Sequence, residues 1–273
     1  MHPDYANATY DDDGNPATAQ LAWPEVYKRY ATDTRRIDDA VGDILQLLKD
    51  LKIDENTMVV FTSDNGPSKE SYLANEPIDP TFFKSYGPFD GIKRDCLEGG
   101  VRMPTLALWP GNIPAGNHIE TPSISYDWMP TFAQMAGLPA PAISDGVSLL
   151  PSLLGKGTQA ESNIYIEYFQ PGKTPDYADF IPEHQGRARN QMQMVRFGNY
   201  VGLRYDIKSH QDDFEIFDVL KDPQQTQNLA NDPKLVSLQQ KMKDKVLGSR
   251  MPNSTALRPY DDVPVPSVPK EKM

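Results

Sequence analysis

Residues 23–62 constrain the fold more than any other stretch, because a long amphipathic helix there runs straight into a short apolar strand. Ile37, Val41, Ile44, Leu48 and Leu51 recur at spacings of four and three. That spacing builds one apolar stripe on a helix predicted over residues 23–52. Pro24 suits its first position, where a backbone N–H is not needed. Asp33, Arg36 and Asp43 fall off the stripe. Asp54-Glu55-Asn56 then turns the chain. Residues 57–62 (TMVVFT) read as a strand buried on both faces, and residues 105–109 as a second one. A helix followed by a buried strand predicts an α/β sheet.

Residues 63–92 show almost no periodicity, and a loop of that length inside a compact domain is usually functional. Residues 127–136 read as a helix, with Asp127 as N-cap and Gly137 as its stop. Residues 163–169 (NIYIEYF) alternate like a strand. The character changes after about Gln170, where a loop rich in Pro, Asp, His and Arg runs to Asn190. Residues 191–196, 200–205 and 214–219 then read as antiparallel strands, with Gly198-Asn199 as a hairpin signal. Residues 234–247 form a closing helix, and residues 251–273 a proline-rich tail. Residues 1–20 are acidic and loop-like, so Met1 is expected to be an internal residue of a longer protein.

Composition narrows the function. The 273 residues, 38% apolar, suffice for one large domain or one domain plus a small one. No apolar run reaches the length of a membrane span. No basic segment precedes an apolar one at the N-terminus, so no signal peptide is expected. A net charge of −11 argues against a nucleic-acid partner, and any anion must be held by a local site. The single cysteine, Cys96, rules out an internal disulfide. It fits the cytosol and equally a periplasmic protein without disulfides.

Three segments carry candidate chemistry. Ser63-Asp64-Asn65-Gly66 follows directly on a predicted strand, and ligands of open α/β sheets gather outside the carboxyl ends of strands. Asp64 and Asn65 are hard oxygen donors that suit Ca²⁺ or Mg²⁺. The same tetrapeptide is also common turn chemistry, in which Gly66 lets the chain turn sharply. Gly91-Ile92-Lys93 leads into Glu98-Gly99-Gly100-Val101-Arg102-Met103-Pro104. The paired glycines let backbone pass close to another element. Lys93 is either a point charge for an anion or a solvated lysine, and Arg102 reads as half of a structural ion pair. Finally, Glu183-His184-Gln185-Gly186-Arg187 precedes the antiparallel strands. It is either a solvated loop or one folded back toward Lys93 and Asp64. In the second case the Arg187 guanidinium can fork onto a pair of anionic oxygens and the His184 ring can hydrogen-bond. His118 lies in a surface-type loop and is expected to be inert.

TSDNGP, a long loop and GxKxxxxEGGxRxP together resemble the sulfatase family within the alkaline phosphatase superfamily. The helix before the loop (ID..VG.IL..L), Asp127-Trp128-Met129-Pro130-Thr131, and Asp145-Gly146-Val147-Ser148-Leu149 with Leu153-Leu154-Gly155 agree in order. So do Phe214-Glu215-Ile216-Phe217-Asp218, Asp222-Pro223 and Asn228-Leu229. The resemblance spans roughly residues 24–247. It implies part of an alkaline-phosphatase-like α/β sandwich over residues 1–170, then a small antiparallel sheet with one helix over residues 171–250. It also implies a sulfuric ester hydrolase acting on a sulfated small molecule or glycan. Asp64 and Asn65 become ligands of Ca²⁺, with Mg²⁺ as the alternative. Lys93 becomes the catalytic lysine that contacts the sulfate and neutralises its leaving oxygen. His184 and Arg187 become substrate contacts from the small subdomain. The full-length protein is expected to be periplasmic or secreted.

The chain also departs from the family pattern. The family nucleophile is a formylglycine made from Cys or Ser in a C/S-x-P-x-R motif. Cys96 is followed by Leu97-Glu98-Gly99, and Ser267-Val268-Pro269-Lys270 lacks the arginine. The family's early Asp pair and Pro-His segment find no match either, and His2 precedes its proline. These parts lie upstream in family members, so the nucleophile is expected outside this chain. Two alternatives remain. A phosphodiesterase or phosphonate hydrolase of the same superfamily would place Asp-His where Asp64-Asn65 stands. A non-catalytic carbohydrate-binding remnant would need only the residual sheet.

Overall fold

In the computed structural model, residues 1–69, 77–169 and 171–250 are described. The proline-rich tail of residues 251–273, with its Ser267-Val268-Pro269-Lys270, lies outside them. Residues 1–20, expected to be a loop, hold a short helix and the first strand of a two-residue ribbon. α1 is Pro3–Ala6, and β1 (Thr9–Tyr10) pairs antiparallel with β2 (Leu21–Ala22). Aromatic rings, which a loop reading does not weigh, explain the order. Tyr27 stacks on Phe82 at 3.8 Å, and Tyr10 and Trp23 meet Phe82 edge-on at 5.0 and 5.7 Å.

The predicted long helix is α2, Glu25–Asp50, with Pro24 as its N-cap. It leads into β3 (Val59–Thr62), which pairs antiparallel with β4 (Thr105–Leu108), Val59 opposite Leu108 and Thr62 opposite Thr105. The expectation that both strands are buried on both faces is not met. Phe61 is 40% and Leu106 67% exposed, and along α2 Ile37, Ile44, Leu47 and Leu51 are exposed as well. Leu45 and Leu48 of the helix share a small cleft with Val59 and Leu108, which marks where helix and ribbon meet. An apolar β-branched run reports fit to a pleated surface, and coverage depends on which layers are present.

Asp127 was expected to cap the helix that follows. The helix is there, as α4 (Trp128–Met135), but the Asp127 carboxylate makes no cap bond to it. Asp127 is wholly buried and faces backward. It accepts from the Ile124 N–H at 2.9 Å, the Val147 N–H at 2.9 Å and the Ser162 hydroxyl at 2.6 Å. Thr131 relays its backbone carbonyl to the Leu149 N–H, ahead of α5 (Leu150–Leu154). Gly146 lies so close that a Cβ there would strike the Tyr126 carbonyl. One carboxylate thus joins three segments far apart in sequence.

β5 (Tyr165–Phe169), β6 (Gln191–Phe197), β7 (Tyr200–Tyr205) and β8 (Glu215–Asp218) form one antiparallel sheet in that order. A boundary drawn at residue 170 therefore falls after the first strand of this sheet. Side chains alternate across it. Met192, Met194, Val201, Leu203 and Phe217 face one side, where Cys96 and Leu97 plug in. Val195 and Ile216 face the other, together with Phe214 just before β8, and meet Met242 and Val246 of the closing helix α6 (Val236–Ser249). Gly202 is needed on that face, since a Cβ would reach the Met242 sulfur.

Removing the Asp127 carboxylate strands two half-buried N–H groups and a buried hydroxyl. Asp127→Ala is expected to lower unfolding free energy by about 2–4 kcal/mol, at about 1–3 kcal/mol per unsatisfied buried donor. Urea denaturation followed by circular dichroism checks it, and a change under about 0.5 kcal/mol would show that the joint bears no stability.

Candidate functional site

Two backbone hydrogen bonds assemble the site. The Gly66 N–H donates to the Gly100 carbonyl at 2.9 Å, and the Lys93 N–H donates to the Pro67 carbonyl at 2.7 Å. The Asp64-Asn65 loop and the Lys93 segment are therefore laced together within two residues of each candidate side chain. Gly66 serves this approach and not a sharp turn. Its φ is not left-handed, and a Cβ would collide with the Gly99 carbonyl oxygen. Gly99 and Gly100, in the one-turn helix α3 (Glu98–Val101), lie equally close to the backbone of Asp90 and Asp95.

Asp64 is exposed, while Asn65 and Lys93 are half-buried. Among the described residues, none of these three side chains has an ion pair or a side-chain hydrogen bond. The loop offers a carboxylate oxygen and an amide oxygen, without imidazole or thiolate. That donor set fits a hard divalent cation such as Ca²⁺ or Mg²⁺. Arg94, next to Lys93, has a φ of +82°, an uncommon left-handed backbone for a side-chain-bearing residue. Backbone strain of this kind persists only where the surroundings enforce it.

The enforcing contacts are two buried aspartates that flank Lys93. Asp95 accepts the Ile92 N–H at 2.8 Å and the Thr174 hydroxyl at 2.7 Å. Arg189 forks onto both its oxygens at 2.6 and 2.9 Å. Asp90 accepts the Ile181 N–H at 2.9 Å, meets His184 Nδ1 at 2.9 Å and takes Gln224 Nε2 at 3.1 Å. Sequence reasoning missed this cluster. Its one signal is that Asp90 and Asp95 bracket Gly91-Ile92-Lys93-Arg94, two carboxylates around two cations.

The loop carrying His184 does lie against the chain just before Lys93. Its side chains do different work from that expected, however. His184 is 2% exposed and its Nδ1 is occupied by Asp90, so it orients scaffold and presents no ring edge to a sugar. Arg187 does fork to a carboxylate, but an internal one. It meets both oxygens of Glu215 at 2.9 and 2.6 Å and lies 3.6 Å from the Tyr205 ring. Neither is offered to a substrate here. Arg102 pairs with buried Glu98, as expected of a structural ion pair. Cys96 is 1% exposed, and burial pushes its thiol far above the usual range, so it is not a poised nucleophile.

Breaking the Asp95 fork leaves a buried carboxylate with one hydroxyl and one N–H. Arg189→Ala is expected to cost about 3–5 kcal/mol of stability, with Arg189→Lys between it and wild type because lysine cannot fork. Thermal melts of the three proteins check the order.

The Sulfatase family model matches residues 1–138, and the model for the C-terminal region of N-sulphoglucosamine sulphohydrolase matches residues 85–251. The dog N-acetylgalactosamine-6-sulfatase is 44% identical over 129 residues, covering 46% of this chain and 23% of that protein. Human steryl-sulfatase is 29% identical over 79% of this chain and 39% of its own length. The chain thus spans between about a quarter and two fifths of these relatives. Among solved structures, Ps i-CgsB superposes with a TM-score of 0.61 at 23% identity, over 86% of this chain and 48% of that one. BT4656, solved with its substrate D-glucosamine-2-N,6-O-disulfate, gives 0.52 at 22% identity over 78% and 38%. The fold is therefore α/β and alkaline-phosphatase-like. The match of its first 138 residues to the Sulfatase model, with the laced Asp64-Asn65 and Lys93 segments inside it, shows that this chain belongs to the sulfatase family.

Proposed function

We propose that the chain supplies the C-terminal portion of a sulfuric ester hydrolase, with Lys93 as its catalytic cation and Asp64 and Asn65 as two ligands of a calcium ion. One observation supports this most. Asp64, Asn65 and Lys93, which have no side-chain partner among the described residues, sit on two segments joined backbone to backbone. A lysine ammonium left half-buried and unpaired suits an anion better than it suits packing. Lys93 would hold a sulfate oxygen and neutralise charge as the ester oxygen departs. Such fixed charges lower a barrier because they need no reorganisation during the reaction. Asp64 and Asn65 would hold the cation, which when bound supplies further electrostatic stabilisation of the sulfate. Magnesium is the alternative ion. The amide of Asn65 is a poor ligand for the softer metals of phosphonate and phosphodiester hydrolases, which favours sulfate.

The nucleophile is assigned to a formylglycine outside this chain, since no C/S-x-P-x-R sequence occurs in the 273 residues. The substrate class is a sulfated carbohydrate or aryl sulfate. The galactosamine-sulfate relatives and a neighbour solved with a disulfated glucosamine favour the carbohydrate. A periplasmic or secreted setting accords with such substrates. Among the described residues no helix is long and apolar enough to cross a membrane.

The test is hydrolysis of 4-nitrophenyl sulfate with added Ca²⁺. The chain alone is expected to give no turnover. Joined to a segment bearing a formylglycine precursor, it is expected to turn over, and Lys93→Ala should lower kcat/KM by about 10²–10³-fold. Turnover by the chain alone that is lost in Cys96→Ala would place the nucleophile at Cys96 and overturn the assignment. No hydrolysis by the completed enzyme would overturn the sulfatase reading itself.

A further inference from the structure

A groove of about 400 Å³ opens between residues 84–89 and residues 221–224, on segments that the catalytic reading does not use. That volume lies within the roughly 300–1,000 Å³ of small-molecule clefts. We infer that this groove is a second carbohydrate subsite, which takes an anionic pyranose residue between Lys84 and Lys221 with its ring against Phe89. The inference deepens the sulfated-glycan reading and rests on it.

The groove combines three features that such a residue requires. The first is a flat apolar wall. Phe89 lines the groove, and the Arg102 guanidinium lies 4.6 Å from its ring centroid, which fixes the ring. Pro88 and Pro223 extend the surface, against which the C–H face of a sugar gains dispersion contact.

The second is a pair of cations placed to be recruited. The Lys84 and Lys221 side chains are 71% and 81% exposed. Their ammonium groups rest on Asp179 at 3.3 Å and Asp218 at 3.0 Å. Exposed pairs of this kind are weak and exchange partners readily. The lining also carries Asp179 and Asp222, so an entering anion must draw the two lysines away from their carboxylates.

The third is a rigid polar floor. The Tyr86 hydroxyl donates to Asp179 at 3.0 Å. Gln224 Nε2 bridges the Asp179 carbonyl at 3.0 Å and buried Asp90 at 3.1 Å. Asp90 is the residue that anchors the Lys93 segment, so groove and catalytic segment share one support. The backbone is also held in uncommon form on both walls, with φ +46° at Lys84 and +59° at Gln225, beside Gln224. Left-handed conformations at residues with side chains concentrate at ligand sites.

The experiment is an ¹H–¹⁵N NMR titration of the 273-residue chain with galactose 6-sulfate, galacturonate and unsulfated galactose. Galactose 6-sulfate is expected to shift amides of residues 84–89 and 221–224, and to bind at least five-fold more tightly than galactose. Lys84→Ala with Lys221→Ala should weaken it five-fold or more. Lys84→Arg with Lys221→Arg should retain it, and Lys93→Ala should leave the groove shifts in place. Galacturonate binding alongside the sulfate ester also supports an anionic-pyranose site, while its failure to bind narrows the site to sulfate. Equal binding of galactose, or shifts confined to residues 64–67 and 91–94, would overturn the subsite. The latter result would leave the sulfatase reading intact, and that reading stands or falls separately on aryl sulfate hydrolysis by the completed enzyme.

Discussion

The fork of Arg189 onto Asp95 is the contact on which the rest of the site depends. Both side chains are nearly or fully removed from water. Taking two charges out of solvent costs several kcal/mol each, and their attraction repays this only with good geometry and further hydrogen bonds. Here Thr174 and the Ile92 N–H supply those bonds. The arrangement therefore contributes position more than net stability. It fixes the segment of residues 90–95 against the loop before the small sheet, with Lys93 on its open side and Arg94 in a conformation that a free loop would abandon. His184 on Asp90 repeats the device five residues earlier.

Much of the architecture was legible because it rests on periodicity. The helix of residues 25–50, the strands of the small sheet and the closing helix each carry a repeat of 3.6 or 2. The glycine pairs were legible as close approaches, and the order of motifs was enough to indicate the family. What stayed hidden was the destination of polar side chains. Asp127 looks like a helix cap, yet it faces backward to three partners that lie 3, 20 and 35 residues away. His184 and Arg187 look like substrate contacts in a polar loop. Their partners, Asp90 and Glu215, are 94 and 28 residues distant, and no local pattern announces a pairing at such range. Polar groups are promiscuous in sequence because one carboxylate suits a cap, a metal or an arginine equally. Only the fold chooses among them.

Burial is distributed unevenly in a way the sequence disguises. The small sheet is covered on both faces, by Cys96 and Leu97 on one and by α6 on the other. Its methionines, valines and Leu203 are almost wholly removed from water. Around α2 and the β3–β4 ribbon, residues of equal apolarity stay exposed. Elements with few buried apolar contacts open at lower free energy than those inside a packed core. The Lys93 segment is thus fastened to the better-packed part of the molecule, whereas the Asp64-Asn65 loop springs from the less covered ribbon.

That asymmetry explains why the lacing between the two segments must be made of backbone and glycine. A side-chain contact between a well-packed element and a poorly covered one would shift with every fluctuation of the latter. The Gly66-to-Gly100 and Lys93-to-Pro67 bonds join main chain to main chain at 2.9 and 2.7 Å, with no rotamers in between. The missing Cβ at Gly66 is what allows the approach, since any side chain there would strike the Gly99 carbonyl. The metal-type donors on the ribbon loop are in this way referenced to the same rigid frame as Lys93. The family's Asp-Asn-Gly and Glu-Gly-Gly motifs then read as one structural statement. The charged or polar residues supply the chemistry, and the glycines set how near the two halves of it can come.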